Sequence, residues 1–327
     1  MDVAREMTRY LIFSLAALSV VAGWYFWPHE FGEPWLQINF RPDEVAASPS
    51  IFHGPPLKVI QFNVDHGGES RRAAVLSWLL QQNADVVGFC EANKWQHNLS
   101  GIAASAGYEH AEIFPTEHGY PLAVFSKTPI EVVGRHEIHF ERGVLHVQIL
   151  GIHFFIAHLN AHNSTAREEE TKYLGTLVRR VTRPVVVMGD MNTLSPLDDK
   201  ELQSMVTENQ PLLQALSSLH CYRAMRRKFL QGPAFNKRFN YKPMMNLLEA
   251  GLVDASSARM TTEPTNIPCD QANYCDCPHL RLDYMLISTQ LAAMDLPPTA
   301  HVVIDDQTKI LSDHFPIELN TYQGPRF

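Results

Sequence analysis

Cysteine is scarce in this chain. Five residues in 327 (Cys90, Cys221, Cys269, Cys275 and Cys277) are too few for a fold held by a disulfide framework. Positive charge is also short: 27 Lys+Arg face 35 Asp+Glu, and the formal net charge of −8 argues against a protein that coats nucleic acid. Internal repeats and low-complexity tracts are lacking, and 17 glycines are far too few for a collagen-like chain. What is present is an ordinary globular mixture, 45% apolar and 19% charged, which excludes intrinsic disorder. The length suits two domains or one large α/β domain, and either buries a core without disulfide help.

Long uncharged apolar runs are limited to one, residues 10–27 (YLIFSLAALSVVAGWYFW). Arg5 and Arg9 precede it, and aromatics cluster at its far end as at a bilayer interface. Two readings compete: an N-terminal hydrophobic helix that anchors the chain in a membrane, or a signal peptide ending near Val20-Val21-Ala22. Residues 1–27 are therefore expected to form a membrane anchor or export signal. The rest of the chain would then be extracytoplasmic, membrane-anchored or secreted. Residues 28–56 contain six prolines and read as a tether, leaving 57–327 as the folded domain.

In that domain, short β-rich apolar runs recur at 57–62, 86–90, 122–125, 144–149, 153–157, 185–188 and 284–287. Several are continuous rather than alternating, as in strands buried on both faces. Helical patterns lie between them, at 69–82 (Ala73, Leu76, Leu79, Leu80) and 166–181 (Tyr173, Leu174, Leu177, Val178). Strands alternating with helices predict a layered α/β sandwich. Cys90 falls inside an apolar run and reads as a buried thiol. Cys269, Cys275 and Cys277, with His279, allow either a disulfide or a zinc site.

Polar residues repeatedly stand at the ends of the apolar runs: Gln61-Phe-Asn63-Val-Asp65, Gly88-Phe-Cys-Glu91-Ala-Asn93, His158-Leu-Asn160, Gly189-Asp190-Met-Asn192, Arg281-Leu-Asp283 and Ser312-Asp313-His314. Scaffolds present catalytic groups at such places. Singly, each has a plain structural reading as a cap, a turn or a core histidine. Together they cluster more carboxylates than a fold tolerates without a cation or protons. Oxygen ligands beside Asn and His suit Mg²⁺ or Mn²⁺ better than Zn²⁺.

The motifs FNVD, GFCEAN, GYPLAVFSKTPI, AHLN, GDMN, RLDY and SDHFP, in that order from Lys58 to Leu319, resemble those of the endonuclease/exonuclease/phosphatase superfamily. The resemblance implies a four-layer α/β sandwich of the DNase I-like type and a Mg²⁺-dependent (or Mn²⁺-dependent) phosphoric ester hydrolase. It implies that Glu91 binds the metal with Asn63, Asp65 and Asp313. Asp190 would orient or deprotonate the attacking water, and Asn192 would hold phosphate oxygens. His314 would contact the scissile phosphate, Asp283 would fix the His314 tautomer, and His158 would be a second histidine near the phosphate. Arg142 reads equally as a phosphate-binding group or a strand-end surface arginine. His66, before two glycines, reads as a turn residue.

The chain departs from the family pattern between Asp190 and Asp283, where residues 197–248 read as an insertion. Seven cations, Arg226 and Arg227 among them, crowd residues 223–242 without an acid, interleaved with aromatics. They are candidates to bind an anionic substrate, either nucleic acid or a lipid head group, and no protein partner is expected. A nuclease-like enzyme, a sphingomyelinase-like or phosphoinositide-directed lipid phosphoesterase, and a non-catalytic binding module are the competing functions.

Overall fold

The computed structural model describes residues 57–208, 228–231, 238–256, 263–266, 280–294 and 296–321. The hydrophobic segment 10–27, the tether 28–56, Arg226, Arg227 and every cysteine except Cys90 lie outside them. Among the described residues no helix is long and apolar enough to cross a membrane.

The first half of the domain runs β1 (Lys58–Asn63), α1 (Arg72–Gln82), β2 (Val86–Cys90), α2 (Leu99–Ser105), β3 (His110–Phe114), β4 (Leu122–Ser126), β5 (Glu131–His136), β6 (Val144–Ile149), β7 (Ile152–His158), α3 (Ser164–Arg179) and β8 (Val185–Asp190). The second runs α4 (Asp199–Glu208), β9 (Leu230–Gln231), β10 (Arg238–Phe239), α5 (Lys242–Leu248), β11 (Leu252–Asp254), β12 (Asp283–Ser288), α6 (Thr289–Ala292), β13 (Thr299–Val302) and β14 (Ile317–Asn320). Two six-stranded sheets result, ordered β13-β14-β1-β2-β4-β3 and β11-β12-β8-β7-β6-β5. Each is antiparallel except for one parallel pair: β1 with β2, bridged by α1, and β7 with β8, bridged by α3. These four strands are the continuous apolar runs, because both of their faces are covered.

Three apolar layers lie between four structural ones. Val59, Val86 and Val124 of the first sheet meet Val147, Ile156, Met188 and Met285 of the second. Phe62, Phe89 and Phe125 pack outward against Trp78 and Leu79 of α1 and Ile102 of α2. Phe155 and Val187 pack outward against Leu174 and Leu177 of α3 and Leu247 of α5. The order is helices, sheet, sheet, helices.

The α1 pattern is displaced from its expected face. Val75, Leu76, Trp78 and Leu79 are buried, whereas Ala73 and Leu80 face solvent. The reason is Trp78, whose ring meets Phe62 edge-on at 5.8 Å and turns the helix toward itself. The helix also starts later than its pattern, because Gly67, Gly68 and Glu69 take positive φ. α3 begins two residues before its pattern, where Asn163 Oδ1 accepts the Thr165 and Ala166 amides.

Two further polar clusters stand out, the first built on Arg281 of the RLDY motif. Arg281 donates through Nε and Nη2 to both oxygens of Asp198 (3.0 and 2.9 Å), and through Nη1 to Asp254 (2.6 Å). All three side chains are buried, and the guanidinium stacks over Tyr284. At the opposite end of the second sheet, His146 stacks on Phe155 at 3.9 Å and its Nε2 lies 2.8 Å from His153 Nδ1. Burial, with His153 and His136 beside it, pulls His146 down to about 3.

Candidate active site

The two parallel pairs point their carboxyl ends the same way, and the motif residues stand on those ends. Asn63 ends β1, Glu91 follows β2, His158 ends β7 and Asp190 ends β8. β12 runs antiparallel to β8, so its first residue, Asp283, pairs directly with Asp190. His314 enters just before β14. Open α/β sheets place ligands beyond the carboxyl ends of their parallel strands, and here two sheets contribute residues to one site.

Two glycines make the close approaches. Gly189, at φ +145°, lies so near β7 that a Cβ would stand 1.8 Å from Ala157 O. A Cβ on Gly67 would stand 2.1 Å from Asn93 O. Around Gly67 the loop is clamped to the end of β2: its N–H donates to Glu91 O at 2.6 Å, and Trp95 Nε1 donates to its carbonyl at 3.0 Å.

The site residues form two groups joined by Asn63. Asp65, His66 and Glu91 offer ligand atoms within 4.8 Å of one another, and so do Asp190, Asp283 and His314. Asn63 Nδ2 donates to Asp190 Oδ2 at 3.2 Å, while its Oδ1 accepts the Asp65 amide at 3.2 Å. Asp65 also pairs with Arg71 at 2.5 Å. His66 has the turn backbone expected of it, but its amide donates to Glu91 Oε2 at 3.3 Å and its ring lies 3.9 Å from that oxygen. Asp313 is exposed and accepts from Ser312 Oγ at 3.2 Å.

Burial raises the Glu91 pKa, and the charges of Asp190 and Asp313 raise it further. A divalent cation would relieve that crowding. The Asp65 and Glu91 carboxylates, with the Asn63 amide oxygen and the His66 imidazole beside them, fit a divalent ion such as Mg²⁺ or Mn²⁺.

In the second group, His314 Nδ1 lies 2.6 Å from Asp283 Oδ2, and its Nε2 lies 3.9 Å from Asp190 Oδ2. Burial alone would depress the imidazole, but Asp283 first, then Asp190 and Asp313, raise its pKa well above the ordinary histidine value. Asp283 is itself fixed by Gln61 Nε2 (3.3 Å), and its amide donates to Thr265 Oγ1 (3.0 Å). Asp190 Oδ1 accepts the Asn192 amide at 3.0 Å. Burial would raise Asp190, but His158, His314 and Lys228 together bring it below the usual carboxylate value. Asn192, at φ 47°, donates through Nδ2 to Leu159 O, which ties the end of β8 to that of β7.

Arg142 is a buried side chain, not a surface arginine. Its guanidinium stacks on Tyr120 at 3.9 Å, lies 4.0 Å from Glu91 Oε1 and donates to His158 Nε2. His158 is fully buried, 3.4 Å from Asp190, and burial brings its pKa down to about 3. As a neutral acceptor from Arg142, it carries its proton on Nδ1.

Of the basic insertion, Lys228 borders the site: its charge acts on both Asp190 and His158. The neighbouring aromatics Phe229 and Phe239 are packing residues, buried against Leu194, Leu202, Leu280 and Leu282. Sequence reasoning passed over the supporting groups Tyr120, Thr265, Arg167 and Glu170. Glu170 sits in the acidic run 168–170, which reads as a solvated helix face. Its i,i+3 spacing from Arg167, on the same face as Leu174, was the available signal.

No curated protein sequence matches the chain. Among solved structures, an AP endonuclease from Archaeoglobus fulgidus is 19% identical, with a TM-score of 0.56 over 80% of this chain and 98% of that one. A 3'-5' exonuclease (NExo) from Neisseria meningitidis is 17% identical, with the same TM-score and coverage. The structure of the 3' phosphatase NExo from Neisseria bound to product DNA hairpin is 17% identical, with a TM-score of 0.54 over 80% of this chain and 98% of that one. At these identities the likeness is one of fold. A sequence model described as the Endonuclease/Exonuclease/phosphatase family matches residues 60–314, which include every described site residue above, and the chain belongs to that family.

Proposed function

We propose that the chain is a divalent-metal-dependent phosphoesterase that hydrolyses phosphodiester or phosphomonoester bonds in nucleic acid. The carrying observation is the convergence of Asn63, Glu91, Asp190, Asp283 and His314 on one strand-end cleft. The solved structures similar in fold are titled as an AP endonuclease, a 3'-5' exonuclease and a 3' phosphatase, and those titles favour DNA as the substrate class.

In this reading Glu91, with Asp65, Asn63 and Asp313, holds the cation. When bound, the cation neutralises charge on the phosphoryl oxygens and acidifies water. Asp190, kept ionised beside His314 and Lys228, accepts a hydrogen bond from the attacking water and orients it in line with the P–O bond. His314, held by Asp283, presents Nε2 to the phosphate and stabilises the charge that develops there. Arg142 and the Asn192 side-chain amide meet the remaining phosphate oxygens, and Arg226 and Arg227, which lie outside the described residues, are candidates by sequence for further contacts with an anionic substrate.

The apolar segment 10–27 supports action on the extracytoplasmic side of a membrane. It also favours the second reading, a lipid phosphoesterase. The deciding assay uses the purified chain with Mg²⁺, with and without EDTA. Plasmid DNA, 3'-phosphorylated oligonucleotide, RNA, and sphingomyelin or phosphoinositide vesicles are tested in parallel, with Asp190→Ala as control. EDTA-sensitive cleavage of nucleic acid, lost in Asp190→Ala, supports the proposal. Cleavage of lipid alone transfers it to the second reading, and no cleavage of any substrate rejects the enzymatic reading.

A further inference from the structure

α3 carries two buried charged side chains that the mechanism above does not use. Glu170 is 3% exposed and Arg167 1%. Burying a carboxylate and a guanidinium is costly unless their hydrogen bonds are well made. Their partners lie almost entirely in main chain beside the catalytic cleft. Glu170 Oε1 accepts the Glu141 amide at 2.8 Å, and Oε2 accepts the Asn160 amide at 2.7 Å. Arg167 Nη1 donates to Asn160 O and Nη2 to Lys228 O.

The Asn160 peptide unit is therefore held at its N–H by one side chain and at its carbonyl by the other. Three segments that border the site converge on this one helix. Glu141 precedes Arg142, Asn160 follows His158 by two residues, and Lys228 lies within the basic insertion.

We propose that Glu170 is a positioning residue: its two carboxylate oxygens set the loop that carries Arg142 and the loop that follows His158 at the spacing where Arg142 bridges Tyr120, His158 and Glu91. This inference rests on the phosphoesterase reading of the same cleft. The carboxylate suits the task because both oxygens accept and neither donates. A carboxamide or a protonated carboxyl retains one acceptor and turns a hydrogen toward the other backbone N–H.

The staple is also sensitive to pH. Burial raises Glu170 to about 7; the two amides and Arg167 oppose the rise, and the neighbouring Glu141 adds to it. Among the described residues, these are the charged groups that face it. The sign follows: the ionised form that holds both amides prevails above about pH 7, and acidification through that value loosens one of the two contacts.

The test is Glu170→Gln, which preserves shape. A displacement of order 1 Å at a positioned group costs up to about 100-fold, so kcat/KM at pH 8 should fall by roughly 10- to 100-fold, chiefly in kcat. Glu170→Asp, which keeps two acceptors on a shorter arm, should recover part of that loss. If Glu170 acts through Arg142, Glu170→Gln added to Arg142→Ala should cost no more than about twofold beyond Arg142→Ala alone. The wild type should also show an acid limb near pH 7 that Glu170→Gln lacks.

Full activity in Glu170→Gln, multiplicative losses in the double variant, or an unchanged acid limb would each overturn the proposal. A wild type inactive on every substrate would reject the functional reading instead, and amide hydrogen exchange then decides the staple. Loss of protection confined to Glu141 and Asn160 in Glu170→Gln, with β12 unaffected, supports it. Protection equal to wild type overturns it.

Discussion

Acid should destabilise this protein through His146, at the end of the second sheet remote from the catalytic cleft. The imidazole is 6% exposed, stacked on Phe155 and flanked by His153 and His136, with no carboxylate among the described residues at hydrogen-bonding distance. Its folded pKa is about 3, against an ordinary value of 6.5. Between these values the unfolded chain binds a proton that the folded chain refuses, so stability is complete above about pH 6.5 and falls as pH drops toward 3. At pH 5 the unfolded imidazole is almost fully protonated and the folded one almost fully neutral. The linkage is then about 2 kcal/mol, and about 1–2 kcal/mol once solvent screening at the cluster's open side is allowed for. The perturbation is His146→Phe, which keeps the stacking on Phe155 and removes the titration. Urea unfolding at pH 7.5 and pH 5.0, read by the buried Trp78 and Trp95, should show wild type losing about 1–2 kcal/mol more than the variant over that interval. Equal losses in both proteins would refute the assignment of this pH dependence to His146.

Two further outcomes are expected. Asp283→Asn leaves a neutral acceptor at His314 Nδ1 and removes the charge that sustains the imidazolium; turnover should fall by roughly 10²- to 10⁴-fold with the melting temperature little changed, and turnover within threefold of wild type would remove Asp283 from the mechanism. Arg281→Met leaves Asp198 and Asp254 as buried, uncompensated carboxylates and should cost about 3–5 kcal/mol in urea unfolding, a loss that adding Asp198→Asn and Asp254→Asn should largely reverse; a cost below about 1 kcal/mol would show that the ion pairs are not what stabilises this junction.

The central strands were legible because β1, β2, β7 and β8 are covered on both faces and write themselves as mainly apolar runs. β5, GluValValGlyArgHis, alternates exposed and half-buried positions at a sheet edge and carries no such run. β13 and β14 are four residues each; β14 depends on pairing with β1 and β13 on pairing with β14, which local sequence does not announce. The same asymmetry governs the site. Asn63, Glu91, Asp190 and Asp283 are visible as polar residues at the ends of apolar runs. The pairing of Arg142 with His158 and Tyr120 is not, since it depends on three loops meeting in space. Glu170 is hidden for a different reason: its partners are backbone amides, and any sequence offers those.

The cleft lies where two sheets meet, and the first sheet is completed by strands from both ends of the domain. The Ser312 hydroxyl donates to Asn63 O across 249 residues of chain, and Leu57 meets Thr321 across 264. Such distant closures are late and slow, because loop entropy must be overcome before the contact rewards it. During synthesis, every group supplied by β1, β2, β7 and β8 leaves the ribosome before His314 exists. A partly made chain can therefore assemble most of the second sheet and still lack a reactive centre, and catalytic competence is acquired in one of the last steps of folding.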